Sequence, residues 1–323
     1  MNIDVFNGDA DGIFALIQLR KVNPVSAENH QLITGVKRDI SLVKQITDSA
    51  AANASICVLD VSFDKNAEDV SRVLAAGAKL FYCDHHQAND LFVHTNLKSL
   101  IDTSPTQCTA LLINQHLQGA QARWAVAAAY GDGLDKSAAA LAQQIGLSEI
   151  ENDQLKTLGI LVNYNGYGAK EADLHFAPAK LFNLLYQYAS PFAVIADSSS
   201  PFRLLTEGYQ EDLALAQATL PLETTASVMA VHLADEPWAR RISGTYGNEL
   251  AANNPNKAVV IITENVDKTL TISLRAPKSK PLGAADICSQ FVSGGGRESA
   301  AGVNALNDHD LNKFIEIVSD FYS

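Results

Sequence analysis

The first half of the chain alternates short β-prone runs with helical ones, and this alternation constrains the fold more than any single residue does. "IDVFN" (Ile3–Asn7), "QLITGV" (31–36), "SICVLDV" (55–61) and "AKLFYCD" (78–84) are strand-like. Between them, "IFALIQLRKV" (Ile13–Val22), "DISLVKQITDSAA" (39–51) and "AEDVSRVLAAGA" (67–78) carry apolar residues at helical spacing. Successive strands joined by helices of this length pair in parallel, because a parallel pair needs a long crossover. A doubly wound α/β domain is therefore expected. After Pro105 the pattern turns almost wholly helical until about Tyr188, and "ASPFAVIADSSSPF" (189–202), with two prolines and a serine triplet, reads as a boundary. Beyond it come helices near 206–219, 237–252 and 282–290. Strands are expected at "VMAVHL", "AVVIIT" and "TLTISLRA", then a glycine-rich turn "SGGGRESAAG" and a last helix "DLNKFIEIVSDFY". The expected organisation is a parallel-sheet domain at 1–188, a linker at 189–205 and a smaller α/β domain at 206–323.

Composition excludes several function classes. With 47% hydrophobic and 19% charged residues the chain is an ordinary globular sequence, and no apolar run reaches the ~20 residues of a membrane span. The N-terminus already reads as a strand entering a turn, with no signal peptide, so a cytoplasmic location is expected. Cys57, Cys83, Cys108 and Cys288 occur singly, which indicates neither a zinc ribbon nor a disulfide framework. A net charge of −12 argues against coating long duplex nucleic acid through a broad basic surface. It leaves room for a small anionic substrate, and it suits a carboxylate-rich site neutralised by divalent metal.

The acidic residues sit where such a site belongs. Ligands of a doubly wound sheet bind at the carboxyl ends of its strands. Strand one runs into "NGDADG", giving Asp9 and Asp11; "SICVLDV" carries Asp60; "AKLFYC" ends in Asp84, His85 and His86; the helical "AVAAAYGDG" delivers Asp132. Taken singly, an aspartate at such a place is most often a turn residue or a helix cap. Taken together, each at the end of an apolar run, they favour a metal site. Several bare carboxylates would repel and raise one another's pKa, a conflict that two divalent cations remove. Mixed Asp and His donors suit manganese. Two ions ~3.5–4 Å apart can clamp a phosphoryl group and generate a hydroxide nucleophile.

The order "DAD", "VLD", "DHH", "GDG", followed by "GGGRESAAG" near the end, resembles the DHH phosphoesterase superfamily, and the C-terminal half resembles its DHH-associated domain. The resemblance covers essentially the whole chain. It implies a manganese-dependent phosphoesterase in which Asp9 and Asp60 bind one ion. Asp11, Asp60, His85 and Asp132 bind the other, with Asp60 bridging. It further implies that His86 faces the scissile phosphate or backs the ligands, and that Asp84 orients the histidines. The implied activity is hydrolysis of short oligonucleotides or dinucleotides to nucleoside monophosphates by two-metal hydroxide attack. Exopolyphosphatase or 3′-phosphonucleotide phosphatase activity at the same site is one alternative. A catalytically weak nucleotide-binding regulator is another, from a different class. A homodimer is compatible with each.

Two positions depart from the family pattern. Many oligoribonuclease-like members place a histidine shortly before the first aspartate; here Asn7 is the nearby polar residue, able to coordinate only through its amide oxygen. Arg297 stands where the family usually has a substrate-contacting histidine. In the second domain Gly294, Gly295 and Gly296 allow close approach of a phosphate, and Arg297 with Arg275 supplies guanidinium forks for it. The expected substrate position is a cleft between the two domains. Lys37 and Arg38 read as a solvated strand end, while Tyr164 or Tyr167 in "NYNGYG" is placed to stack a base. The remaining histidines, 30, 94, 116, 175, 232 and 309, show no metal-like spacing.

Overall fold

The computed structural model describes residues 1–323, and it divides into two units. The N-terminal unit contains Met1–Gly166 and Lys170–Thr206; the C-terminal unit contains Tyr167–Ala169 and Glu207–Ser323.

Five short strands build the N-terminal sheet: β1 (Asn2–Phe6), β2 (His30–Ile33), β3 (Ser55–Leu59), β4 (Lys79–Asp84) and β5 (Leu97–Ile101). All neighbours are parallel, in the order β2-β1-β3-β4-β5. Central strands of such a sheet are covered on both faces, and the sequence meets this with unbroken apolar runs. Ile3, Val5 and Phe6 of β1 and Val58 and Leu59 of β3 have no exposed surface. Helices α1 (Ala10–Val22), α2 (Asp48–Ala51) and α3 (Ala67–Ala75) provide the early crossovers. One face packs Val5, Val58 and Tyr82 against Val43, Phe63, Val70 and Val73. The chain passes outward from β1 to β2, then returns across to β3. The β1/β3 boundary is therefore the topological switch point, where ligands of such sheets bind.

A helical block follows β5, made of α4 (Thr109–His116), α5 (Ala122–Gly131), α6 (Asp135–Gln144), α7 (Glu149–Gly166), α8 (Pro178–Tyr186) and α9 (Pro191–Ala196). Helices α5 and α7 cross closely enough that a Cβ on Gly159 would collide with the Ala127 carbonyl, and one on Gly131 with Ala10. This places the C-terminus of α5, and hence Asp132, beside the start of α1.

The C-terminal unit carries a six-stranded mixed sheet, β10-β11-β9-β8-β7-β6, from β6 (Glu223–Thr224), β7 (Val228–His232), β8 (Ala258–Glu264), β9 (Leu270–Arg275), β10 (Gly294–Arg297) and β11 (Ala300–Leu306). Only β7 and β8 pair in parallel. Its helices are α11 (Pro237–Asn253), α12 (Ala284–Cys288) and α13 (Leu311–Tyr322), after α10 (Pro201–Ala218), within which the two units meet in sequence. The apolar stripe Phe314, Ile315 and Val318 of α13 packs with Val260, Ile262, Ile272 and Leu274 of the sheet.

The structure corrects four local expectations. Residues 39–51 are not one amphipathic helix. They form a 3-10 turn at Val43–Gln45 and the four-residue α2, because the Asn66 side chain binds the Val43 N–H and the Ile40 carbonyl and pulls the segment out of helical register. Strand β5 at Leu97–Ile101 was not expected from the sequence. "SGGGRESAAG" is not a free turn but the hairpin β10–β11, with Arg297 opposite Ala300. Residues 189–205, expected as a linker, contain α9 and the first turns of α10 and fall within the N-terminal unit. No helix is long and apolar enough to cross a membrane.

Candidate active site

At the switch point, "NGDADG" is built around hydrogen bonds rather than side-chain bulk. Asp9 is the N-cap of α1, in extended backbone, and its Oδ1 accepts from the N–H groups of Asp11 at 2.9 Å and Gly12 at 3.2 Å. The Asn7 Oδ1 accepts from the Asp9 N–H at 3.2 Å, and its Nδ2 donates to the Lys37 carbonyl at 3.0 Å. Asn7 thus clamps the turn after β1 to the segment after β2, and its amide oxygen is engaged in that clamp. Gly12 is required because a Cβ there would strike the Asn7 backbone.

Asp11 reaches across to α4. Its two oxygens accept from the N–H groups of Thr109 at 2.7 Å and Ala110 at 2.8 Å. The N-cap residue of α4, Cys108, makes no side-chain cap, so the carboxylate from α1 satisfies the unpaired N–H groups and meets the positive helix end. Asp60 directly follows β3 with φ 59°, a left-handed conformation that aspartate tolerates better than most residues. Its Oδ1 accepts from the Thr109 hydroxyl at 3.2 Å. One residue of α4 therefore holds two of the candidate ligands.

His85 and Asp132 complete the group. The His85 Nε2 lies 3.5 Å from Asp60 Oδ1, 3.9 Å from Asp11 Oδ2 and 4.0 Å from Asp132 Oδ2. These separations are too long for good hydrogen bonds. Two donors about 2.1 Å from one ion must lie within roughly 4.2 Å of each other, which all three pairs satisfy. Asp9, Asp11, Asp60 and His85 are buried, and the Asp132 side chain is 15% exposed.

The electrostatics show the strain of bringing these carboxylates together. Burial, then the Asp11 and Asp9 charges, push the Asp60 carboxyl well above its ordinary range, against a smaller opposing effect of His86. Burial also raises Asp132; Lys37 opposes, Asp11 adds to the rise, and His85 opposes more weakly. Burial acts to raise Asp9 as well, but the Lys37 ammonium beside it reverses the sign and leaves its pKa lowered. Asp132 Oδ2 is buried without a hydrogen-bond partner, as is Asp84 Oδ2. Four convergent carboxylates, one imidazole and an orphaned oxygen fit a hard divalent cation.

His86 stands next to this group. Its Nδ1 binds Asp84 Oδ1 at 2.7 Å, and its ring is 4.5 Å from that of His85. Burial would lower its pKa, but the bond to Asp84 and the surrounding carboxylates outweigh this and raise it. Donor atoms of Asp60, His85 and His86 all lie within 4.8 Å of one another. Asp84, at the end of β4, has no exposed surface.

Three participants escaped the sequence reading. Lys37 is no solvated strand end: its Nζ contacts Asp9 Oδ2, donates to Asn163 Oδ1 at 3.0 Å and lies 4.0 Å from Asp132 Oδ1. Thr109 holds Asp11 and Asp60, and Asn163 on α7 backs Lys37. Only Lys37 had a sequence signal, as a cation one residue past "QLITGV". Tyr164 cannot stack a base as expected, since it is fully buried with its hydroxyl 2.8 Å from the His175 Nε2.

Arg275 at the end of β9 donates to Asn248 Oδ1 at 2.7 Å, Ser273 Oγ at 2.9 Å and the Leu274 carbonyl at 3.3 Å. Its guanidinium is thereby fixed in direction. Gly294, Gly295 and Gly296 form the edge strand β10, and Arg297 is exposed at its end. Glu298 binds the Gly283 N–H at 2.8 Å rather than pairing with Arg297.

Comparison with known proteins bears on the fold that carries these residues. Residues 225–323 match the DHHA1 domain. No curated protein matches the chain in sequence. Exonuclease RecJ bound to manganese is similar over 99% of this chain and 90% of its own, with a TM-score of 0.58 and 16% identity. An exopolyphosphatase-related protein from Bacteroides fragilis is similar over 99% and 92%, with a TM-score of 0.52 and 13% identity. The pGpG-specific phosphodiesterase PggH from Vibrio cholerae is similar over 99% and 98%, with a TM-score of 0.52 and 11% identity. The chain therefore has the two-domain α/β fold that these structures share.

Proposed function

We propose that the protein is a manganese-dependent phosphodiesterase acting on dinucleotides or very short oligonucleotides. The observation that carries the reading is the convergence of Asp9, Asp11, Asp60, His85 and Asp132, from four separate chain segments, on one largely buried place. The match in length to a pGpG-specific phosphodiesterase favours the dinucleotide class.

Asp9 and Asp60 would hold one ion, and Asp11, Asp60, His85 and Asp132 a second. Bound there, divalent ions supply Lewis acidity toward a phosphoryl oxygen and a water. Thr109 keeps Asp60 and Asp11 oriented, and Lys37 shares the charge of Asp9. The Asp84 carboxylate favours the protonated form of His86, in which the ring nitrogen not bound to Asp84 can donate to the developing charge on phosphorus-bound oxygen. Asn7 is left to shape the loop. A panel of linear dinucleotides, cyclic dinucleotides, short oligomers and polyphosphate, with products identified by mass, tests the substrate. Mononucleotide release from linear dinucleotides, lost on chelation and restored by manganese, is expected; hydrolysis of polyphosphate alone would overturn the diester assignment.

His86→Ala should retain manganese affinity yet lose turnover about a hundredfold, the lower range for removal of a proton donor. Parallel loss of metal affinity would make His86 a ligand instead. Arg297 is proposed to bind a terminal phosphate, since arginine stays charged and cannot act as an acid or base near neutral pH. Arg297→Ala should raise KM roughly tenfold to a hundredfold for substrates with a terminal phosphate, the range for charge-assisted contacts. Equal losses on a small chromogenic diester would show a disordered hairpin rather than a lost contact.

A further inference from the structure

Around Asp9 the acidic site already holds a cation of its own. The Lys37 Nζ contacts Asp9 Oδ2, donates to Asn163 Oδ1 at 3.0 Å and lies 4.0 Å from Asp132 Oδ1. Three oxygens, from the cap of α1, from α7 and from the end of α5, thus surround one ammonium. Asp9 has no second oxygen to spare, because its Oδ1 accepts from the N–H groups of Asp11 and Gly12. The Asn7 amide oxygen is turned to the Asp9 N–H. A divalent ion on the Asp9 side must therefore bind Oδ2, the atom that Lys37 holds. An ion and an ammonium on one oxygen stand at most about 5 Å apart, and in a mostly buried place like charges at that separation repel strongly. The other side of the group differs. There the His85 Nε2 faces Asp60 Oδ1, Asp11 Oδ2 and Asp132 Oδ2 at 3.5, 3.9 and 4.0 Å, and Asp132 Oδ2 has no hydrogen-bond partner. Asp132 so divides its oxygens, Oδ1 toward Lys37 and Oδ2 toward His85.

The way the lysine is mounted lets its side chain leave while its backbone stays. The Lys37 N–H donates to the Gly166 carbonyl at 2.9 Å, and its carbonyl accepts from Asn7 Nδ2 at 3.0 Å. The side chain is a flexible four-carbon stem, 23% exposed, against 4% for that of Asp9. Rotation about that stem is enough to carry the ammonium to solvent. We propose that Lys37 is a placeholder cation that makes the two metal ions bind in order. The ion among Asp11, Asp60, His85 and Asp132 enters first, and the ion on Asp9 enters only by displacing Lys37. The inference rests on the two-ion reading given above and adds a threshold to it. At low manganese the lysine neutralises Asp9 and the centre holds one ion; the second ion, and turnover with it, comes only at higher manganese.

Calorimetric titration of the chelated full-length protein with manganese, wild type beside Lys37→Met, tests the order. The wild type should bind two ions in two separate steps. A charge-assisted contact is worth roughly tenfold to a hundredfold in affinity, so Lys37→Met should tighten the weaker step by about that factor and the stronger step by much less. Lys37→Gln, neutral but still able to donate to Asp9, should act in the same direction and serves if Lys37→Met does not fold. A second readout needs no variant: acetylation of the wild type by a succinimidyl ester, with the modified lysines identified by peptide mass. Labelling of Lys37 should stay low through the first equivalent of manganese and rise as the second ion binds. Two ions of equal affinity in the wild type, equal tightening of both steps in the variant, or Lys37 labelling unchanged at saturating manganese would overturn the order and leave the metal centre standing. Absence of any saturable manganese binding would instead overturn the metal centre, and the order with it.

Discussion

Asp60→Asn should abolish turnover and, in the metal-free protein, raise rather than lower the melting temperature. Burial, and then the neighbouring Asp11 and Asp9 charges, push the Asp60 carboxyl well above its ordinary range. A folded-state pKa above the unfolded one means that the folded protein binds more protons over that interval. The contribution of Asp60 to stability therefore falls as pH rises through it and is unfavourable at neutral pH. Asparagine removes the charge while keeping what the position needs. It tolerates the left-handed backbone at φ 59° and still accepts the Thr109 hydroxyl. The gain should be on the order of 1–4 kcal/mol, as when other buried charges are replaced by neutral groups. In a domain of this size each kcal/mol shifts the melting temperature by roughly 2–4 °C. Melting curves of chelated wild type and variant should diverge at pH 8 and converge toward pH 4. A less stable variant at pH 8 would show that Asp60 carries no electrostatic strain.

Lys37→Met should have the opposite sign. The Lys37 ammonium is what turns the Asp9 pKa downward against burial, so the pair contributes stability above the ordinary carboxylate range that is lost as pH falls through the lowered value. Removing one partner of a fully buried pair costs about 3–5 kcal/mol; with the Lys37 side chain 23% exposed, about 1–3 kcal/mol is expected. Asp9 then needs another cation. Manganese should raise the melting temperature of Lys37→Met by more than it raises that of the wild type. An unchanged melting temperature in the chelated variant would reduce the Lys37–Asp9 contact to a screened surface pair.

These two residues also show what the sequence could and could not reveal. Asp60 was legible because it ends an apolar run that can only be a buried strand, and the same holds for Asp9, Asp84 and His85. Asp132 was legible as the polar stop of an alanine-rich helix. Lys37 was misread because its importance comes from β2 lying beside β1, a pairing that no local pattern encodes. Thr109 was missed since two of its contributions are made at a helix N-terminus, one by a backbone N–H that any residue possesses. The helix expected over 39–51 failed for a related reason: Asn66, more than twenty residues away, takes hydrogen bonds that a local helix would have needed. The stacking role given to Tyr164 ignored burial, which periodicity alone does not rank inside a continuous helix. In the C-terminal unit the strands were legible by composition, but the glycine motif read as a turn because glycine carries no β-propensity to mark β10.

The most direct measurement is calorimetric titration of chelator-stripped protein with manganese, with dinucleotide turnover followed on the same samples. Binding of about two ions per chain, with turnover rising as they bind, is expected for a site of this kind. Asp60→Asn should bind fewer ions and show no turnover. Full turnover by the stripped protein, or the absence of saturable manganese binding, would contradict a metal centre at Asp9, Asp11, Asp60, His85 and Asp132.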